Sequence, residues 1–354
     1  MTIHPVILCG GVGARLWPAS REGRAKPFVK LFGDRSLFQD TVLRVKDVAG
    51  AGPPLVVAGA AHAGQVRRQL AELGLTGFII VEPEGRDSAP AIAAAAAWLQ
   101  SHDPGAMMLV VASDHHIPDG PAFRAAVTAA TAAAAQGAIV TFGVRPTSPA
   151  TAYGYIEPAG PVDGAPGVHW AARFVEKPDA ARAAAYIQGG LLWNSGNFVF
   201  AADGLLAELQ RHAPAMLEAV RQGLDQGRRE ADSLTLGPSF SLADRTSFDF
   251  AVMEKTDRAA VLPVTYAWSD VGSWDAVWAA SPADDRGNVV SGPAFVGDSD
   301  GCLIRADAGV TVIALGLKDI VVVAEGGSVF VADLSRAAEL KPLVEGLRNG
   351  KRPT

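Results

Sequence analysis

Strand-length apolar runs alternating with helical stretches constrain this chain more than any other feature. "PLVVAG" (54–59) precedes "AHAGQVRRQLAELG", and "GFIIVEP" (77–83) precedes an alanine-rich helical stretch over 89–100. "AMMLVVASD" (106–114) precedes "PAFRAAVTAATAAAAQG", and "AIVTFGV" (138–144) follows. Short strands separated by single helices predict an α/β unit with a mostly parallel sheet, because parallel neighbours need a crossover between them. In such sheets ligands bind beyond the carboxyl ends of the strands. Two polar segments fall at such ends, the opening loop and "ASDHH" (112–116).

The opening stretch "VILCGGVGARLWPASREGRAKPF" (6–28) runs from a buried-strand pattern into Gly10, Gly11 and Gly13, followed by Arg15 and Lys26. Glycines behind a strand bring backbone N–H groups close to phosphate, and the cations would supply charge. A tight turn with solvated basic residues is the alternative. Neither of the two common phosphate loops fits. Leu16 stands where the dinucleotide fingerprint needs a third glycine, and no Gly-Lys-Ser/Thr closes the loop.

Net charge is −6, so a phosphate site has to be a local basic pocket, and no nucleic-acid partner is expected. The composition, 49% hydrophobic and 19% charged, describes a folded globular chain. Cys9 and Cys302 are the only cysteines and offer neither a disulfide framework nor zinc spacing, which suits a reducing cytoplasm. Met1 leads directly into a strand without a leader-like segment, and no apolar run reaches membrane-spanning length. A cytoplasmic chain with no membrane partner is expected.

From about Gly287 short valine-rich runs broken by Gly and Asp replace the alternation, until "SRAAELKPLVEGLRNG" reads as a closing helix. The polar, turn-rich "SPADDRGN" marks a boundary, giving a large α/β domain over 1–285 and a small β-rich domain with a terminal helix over 286–354.

Candidate chemistry lies at loop positions. Asp114 follows a buried strand and could bind Mg²⁺, a hard cation that accompanies nucleotide phosphates, or could be a turn or helix-capping aspartate. Asp270 in "TYAWSDVGSWDAVW" has the same two readings. Glu176 and Lys177 in "RFVEKPD" are a binding pair or an exposed charged pair. Asn194, Ser195 and Asn197 around Gly196 could hydrogen-bond sugar hydroxyls or form a polar turn. His115 and His116 are adjacent on a loop and read as structural or substrate-side residues.

Taken in order, these segments resemble the mannose-1-phosphate guanylyltransferases (GDP-mannose pyrophosphorylases) of the sugar nucleotidyltransferase superfamily. The opening loop resembles G-G-x-G-x-R-L-W-P followed by P-K-Q-F, and "EPEGRDSAPAIA" resembles E-P-x-x-R-N-T-A-P-A-I. "SDHHI", "TAYGYIE", "FVEKP", "WNSGNFVF", "FDFAVMEKT" and "WSDVGSW" follow in the family's order, so the likeness covers nearly the whole chain. It implies a Rossmann-like, GT-A-like nucleotidyltransferase domain, a β-helix-like C-terminal domain and a homodimer. Two departures stand out. Ala25-Lys26-Pro27-Phe28 moves the proline to the other side of the lysine, and Arg86-Asp87-Ser88 adds a negative charge.

The implied reaction is GMP transfer from GTP to mannose 1-phosphate, with pyrophosphate as leaving group. Another nucleotide, another hexose 1-phosphate, or a non-catalytic sugar-nucleotide sensor are the alternatives. The attacking phosphate is already anionic, so the need is for cations and N–H donors rather than a base. The resemblance implies that Gly10, Gly11 and Gly13 wrap the triphosphate, Arg15 holds pyrophosphate and Lys26 neutralises the α-phosphate. It assigns Asp114 and Asp270 to Mg²⁺, and Glu82, Arg86 and Ser88 to the nucleoside side. Gly154, Glu176, Lys177, Asn194 and Asn197 fall on the sugar-phosphate side.

Overall fold

A computed structural model describes residues 2–11 and 13–349. The chain divides into two compact units that interleave along the sequence. One comprises Met1–Gly10, Gln39–Ser113 and Ile117–Trp268; the other comprises Gly11–Phe38, Asp114–His116 and Ser269–Thr354. The expected division at 285/286 follows the chain, whereas these units follow packing.

The first unit is built on one mixed sheet. Its strands are β1 (Ile3–Cys9), β2 (Leu55–Gly59), β3 (Phe78–Glu82), β4 (Met107–Ala112), β5 (Ile139–Val144), β6 (Tyr155–Pro161), β7 (His169–Val175), β8 (Leu192–Ala201), β9 (Arg228–Arg229), β10 (Ser233–Thr235) and β11 (Ala259–Val264). Their order is β5-β11-β7-β6-β8-β4-β1-β2-β3-β10-β9. β4, β1, β2, β3 and β10 run parallel, with Val6 opposite Leu55 and Val110. They are fed by helices α1 (Leu37–Lys46), α2 (Ala60–Glu72), α3 (Ser88–His102) and α4 (Gly120–Ala134). β8 runs antiparallel to β4, β5 and β6. This Rossmann-like arrangement buries β1, β4 and β5 almost throughout, which is why they read as continuous apolar runs rather than alternating ones.

From Ala89 to Ala96 the alanine-rich α3 is apolar on every face because each of these residues is buried. Ala89, Ala91 to Ala96 with Ile92 among them, and Leu99 are buried in the core with the sheet's Val6, Val57 and Ile80, and with Leu205, Leu209, Leu217 and Val220. Alanine lets these layers approach closely at no side-chain entropy cost.

In the second unit, β12 (Val289–Ser291), β14 (Leu303–Ala306) and β16 (Ile320–Glu325) pair in parallel. β13 (Ala294–Gly297) and β15 (Val312–Leu315) form a separate parallel pair. Successive strands thus alternate between two sheets, the winding of a small β-helix. β17 (Ser328–Asp333) pairs antiparallel to β16 and ends the coil. A 3₁₀ turn (Leu334–Glu339) and the helix α5 (Leu340–Arg348) follow, where the sequence predicts a closing helix.

The core of this unit joins distant stretches. Leu16, Ala19, Val29, Leu31 and Leu37 from the glycine-loop segment pack with Trp274 and Val277 and with the coil residues Val289, Leu303, Val321, Val323 and Phe330. Trp274 is fully buried, and its Nε1 donates to the carbonyl of Trp17 at 3.0 Å.

Candidate active site

The second unit gathers the lysine and both candidate metal carboxylates. Gly13 has φ +71°, and a Cβ there would lie 2.5 Å from Cβ of Lys26, so only glycine lets the lysine side chain cross the loop. Lys26 is 8% exposed and opens a 3₁₀ turn (Lys26–Phe28). Pro27 takes the second position of that turn, where an N–H would have no partner within the turn, so the transposed proline removes no hydrogen bond. Lys26 Nζ lies 2.9 Å from Asp114 Oδ2 and also donates to the carbonyl oxygen of Asp270. Burial disfavours the charged form of Asp114, but the Lys26 ammonium, and then His115, outweigh it and hold the carboxyl below its usual range.

His116 and Ser269 pair through their backbones, which brings the 114–116 and 269–270 segments side by side. His116 also stacks on Phe32 at 3.8 Å, a structural role. Beyond Asp270, the buried Val271 has φ +50°, a left-handed conformation that a β-branched residue seldom adopts. Backbone strain of this kind persists only where surroundings over-determine it, commonly at functional sites. Arg15 is exposed at the start of the loop.

Among the described residues no group of three or more His, Cys, Asp or Glu could hold a metal. Two carboxylates still suit a cation that keeps waters and takes phosphate oxygens as further ligands. Their oxygens are hard donors, and the Lys26 contact shows that Asp114 faces positive charge.

The first unit gathers the sugar-side candidates. Glu176 directly follows β7, and its carboxylate lies where a side chain on Gly154 would be: a Cβ there would come within 2.7 Å of Oε2. Lys177, at φ +46°, places Nζ 2.7 Å from Glu176 Oε1. Burial lowers the Lys177 pKa, but the Glu176 bond and the charges of Glu176, Asp249 and Asp87 outweigh it and raise it. Asn194 is held by three bonds. Its Oδ1 accepts from Thr141 Oγ1 at 2.7 Å and from the Gly196 N–H at 3.1 Å, and its Nδ2 donates to Asp249 Oδ1 at 2.8 Å. One Nδ2 hydrogen remains for a ligand. Asn197 is wholly buried with Nδ2 on Ser195, and its Oδ1 has no hydrogen-bond partner.

The nucleoside-side block lies at the start of α3. Asp87, at φ +70°, caps that helix by accepting from the Ser88 N–H at 2.7 Å, so the added negative charge sits at the positive end of a helix. Ser88 Oγ accepts from the Phe248 N–H at 2.9 Å, tying α3 to the segment that carries Asp249. Glu82 is buried with Oε1 unpartnered, and its pKa is pushed up to about 7, chiefly by burial. Arg86 pairs with Glu84 at 2.9 Å.

The nucleotidyl transferase family model matches residues 4–287. Mannose-1-phosphate guanylyltransferase of Escherichia coli is 42% identical over 352 residues, covering 98% of this chain and 74% of that protein. The chain belongs to the nucleotidyl transferase family. The xanthan biosynthesis protein XanB of Xanthomonas campestris pv. campestris is 43% identical, covering 99% of this chain and 74% of that protein. A solved structure from Thermus thermophilus, described as a mannose-1-phosphate geranyltransferase, matches with TM-score 0.85 and 32% identity. It covers 98% of this chain and 100% of its own. No described helix is long and apolar enough to cross a membrane.

Within this nucleotidyl transferase, then, Gly11, Gly13, Arg15, Lys26, Asp114 and Asp270 belong to one compact unit, and Gly10, Glu82, Arg86, Ser88, Gly154, Glu176, Lys177, Asn194 and Asn197 to the other. Asp249 is not among the residues singled out from the sequence. Its carboxyl is raised to about 7, first by burial and then by Glu176, and it anchors Asn194. The signal was present in "FDFAVMEKT", where one acid is enclosed by apolar residues.

Proposed function

We propose that this enzyme transfers GMP from GTP to α-D-mannose 1-phosphate, giving GDP-mannose and pyrophosphate. The observation that carries the reading is a buried ammonium, Lys26, set against Asp114 and the Asp270 carbonyl on a glycine-rich loop. The names of relatives more than 40% identical across nearly the whole chain supply the nucleotide and the sugar.

In the proposed step a phosphate oxygen of mannose 1-phosphate bonds to the α-phosphorus of GTP. The bond from that phosphorus to the bridging oxygen breaks, and pyrophosphate leaves with the electron pair. The nucleophile is already an anion, so no side chain removes a proton. Backbone N–H groups at Gly10, Gly11 and Gly13 cradle the triphosphate, Arg15 takes the departing pyrophosphate, and Lys26 meets charge growing at the α-phosphate. Asp114 and Asp270 would hold Mg²⁺, which when bound neutralises phosphate charge; a divalent metal is general in the family. Glu82, Arg86 and Ser88 serve the nucleoside. Lys177 meets the sugar phosphate, while Glu176, Asn194, Asn197 and the close backbone at Gly154 receive the hexose.

The reading extends to a cytoplasmic homodimer. Two buried cysteines that form no disulfide support a reducing compartment. Phe295, Ile313 and Leu315 support self-association, since they stand 65%, 77% and 70% exposed on the β13–β15 pair. The deciding assay is pyrophosphate release from GTP and mannose 1-phosphate with Mg²⁺, run against UTP, dTTP, ATP and glucose 1-phosphate. GTP with mannose 1-phosphate should be fastest; a clear advantage for UTP or dTTP would refute guanylyl transfer.

A further inference from the structure

The glycine-rich loop is gripped by residues from the far end of the chain. Glu325, 4% exposed at the end of β16, accepts from Arg24 across 301 positions of sequence and from Arg305 Nε at 3.2 Å. Arg305 Nη2 then donates to the carbonyl oxygen of Lys30 at 2.7 Å. Arg24 and Lys30 flank Lys26, so a single buried carboxylate is linked to the loop on both sides of the lysine. The neighbouring turn adds a second hold. Arg21 donates to the Pro18 carbonyl at 3.3 Å, and its guanidinium lies over Gly326, where a Cβ would sit 2.0 Å from Nη1. The Gly326 N–H donates to Asp307 Oδ2 at 2.7 Å, and the charges of Arg21 and Arg24 also bear on that carboxylate.

We propose that Glu325 is a positioning residue for Lys26, and that the β16–β17 turn clasps the loop to fix where the ammonium points. The inference rests on the catalytic reading of Lys26. Three guanidiniums, of Arg21, Arg24 and Arg305, meet two carboxylates, Glu325 and Asp307, in one compact unit. Removing Glu325 would leave Arg24 and Arg305 without their shared counter-charge, and both would seek water or other acceptors. The segment between them would lose its anchors while its apolar residues stayed in the core. A lysine that acts on developing charge tolerates little displacement, since about 1 Å of misplacement costs up to roughly 10²-fold in rate.

Glu325→Gln keeps the shape and removes the charge. Gly326→Ala keeps every charged group and displaces Arg21, so it carries the same test should Glu325→Gln fail to fold. Both should lower kcat about ten-fold with KM for GTP and mannose 1-phosphate within about two-fold, the signature of a group that acts through transition-state geometry. Hydrogen exchange should quicken at the amides of Arg24, Phe28 and Val29 and stay unchanged in β4. Wild-type kcat per folded molecule, together with unchanged exchange at those amides, would overturn the proposal. Lys26→Ala is assayed in parallel: if it keeps full activity, the catalytic reading of Lys26 fails, and the exchange result alone then decides whether the clasp exists.

Discussion

Val271, Asp87 and Lys177 are three of the five non-glycine residues with positive φ among those described, and each adjoins or is a candidate site residue. Strain of about 1–3 kcal/mol at each is held by burial or hydrogen bonding around it. None of this was legible beforehand, because valine and lysine seldom take positive φ and aspartate, though it tolerates it, mostly does not. Lys26 was legible, since its loop is defined by glycine spacing that a strand end makes meaningful. Lys26→Ala should lower kcat by about 10²–10³ with little change in KM, as measured by steady-state kinetics. If Asp114 and Asp270 serve one ion, as proposed, Asp114→Asn and Asp270→Asn should each raise the Mg²⁺ needed for half activity, and the double variant should lose less than the sum of both losses. Additive losses would separate their roles. Asp249 gives a prediction in stability. Its carboxyl is raised from 3.8 to about 7, so between about pH 4 and 7 the folded chain holds a proton that the unfolded chain has lost. Stability from this group is complete below pH 4 and disappears as pH rises through 7, at up to about 1.4 kcal/mol per pH unit. Glu82, raised from 4.5 to about 7, adds a slope of the same sign. Asp249→Asn should therefore flatten denaturant-measured stability between pH 4 and 8 and be relatively more stable than the parent at pH 8.

At the scale of elements, the alternation of the first half foretold the parallel strands and their helices because burial on both sheet faces leaves long apolar runs. The helix expected over 89–100 extends from Ser88 to His102. What periodicity could not supply was the partner of each strand: nothing in "GLLWNSGNFVF" announces that β8 pairs with β4, β5 and β6, since such pairing depends on contacts remote in sequence. The β-helix was legible only as short valine runs; its two alternating sheets are a property of coil length. Nor did any local pattern reveal that the glycine loop's apolar residues share a core with that coil. Trp274 joins them, fully buried and bonded to the Trp17 carbonyl. Trp274→Ala should cost about 3–5 kcal/mol in urea unfolding, and the transition should then be checked for a separate early phase in the second unit.

For the molecule as a whole, the exposed row of Phe295, Ile313 and Leu315 should decide assembly. Ile313→Lys should convert a dimer to a monomer in light scattering at micromolar concentration while leaving the far-UV spectrum unchanged. A parent chain that is already monomeric would rule out this interface. Another consequence follows from the core that Leu16 shares with Val321 and Phe330. Translation proceeds from the amino terminus at about 5–20 residues per second, so the glycine-rich loop leaves the ribosome roughly 15–60 s before the strands that enclose it. Until the interval ends it is a glycine- and arginine-rich tether whose packing partners are incomplete. Nascent chains arrested near residue 300 should be cut by trypsin at Arg21 or Arg24, and chains released at full length should resist. The enzyme would then order its glycine-rich loop as one of the late acts of its own biogenesis, leaving that segment open to proteases and chaperones while the chain is being made.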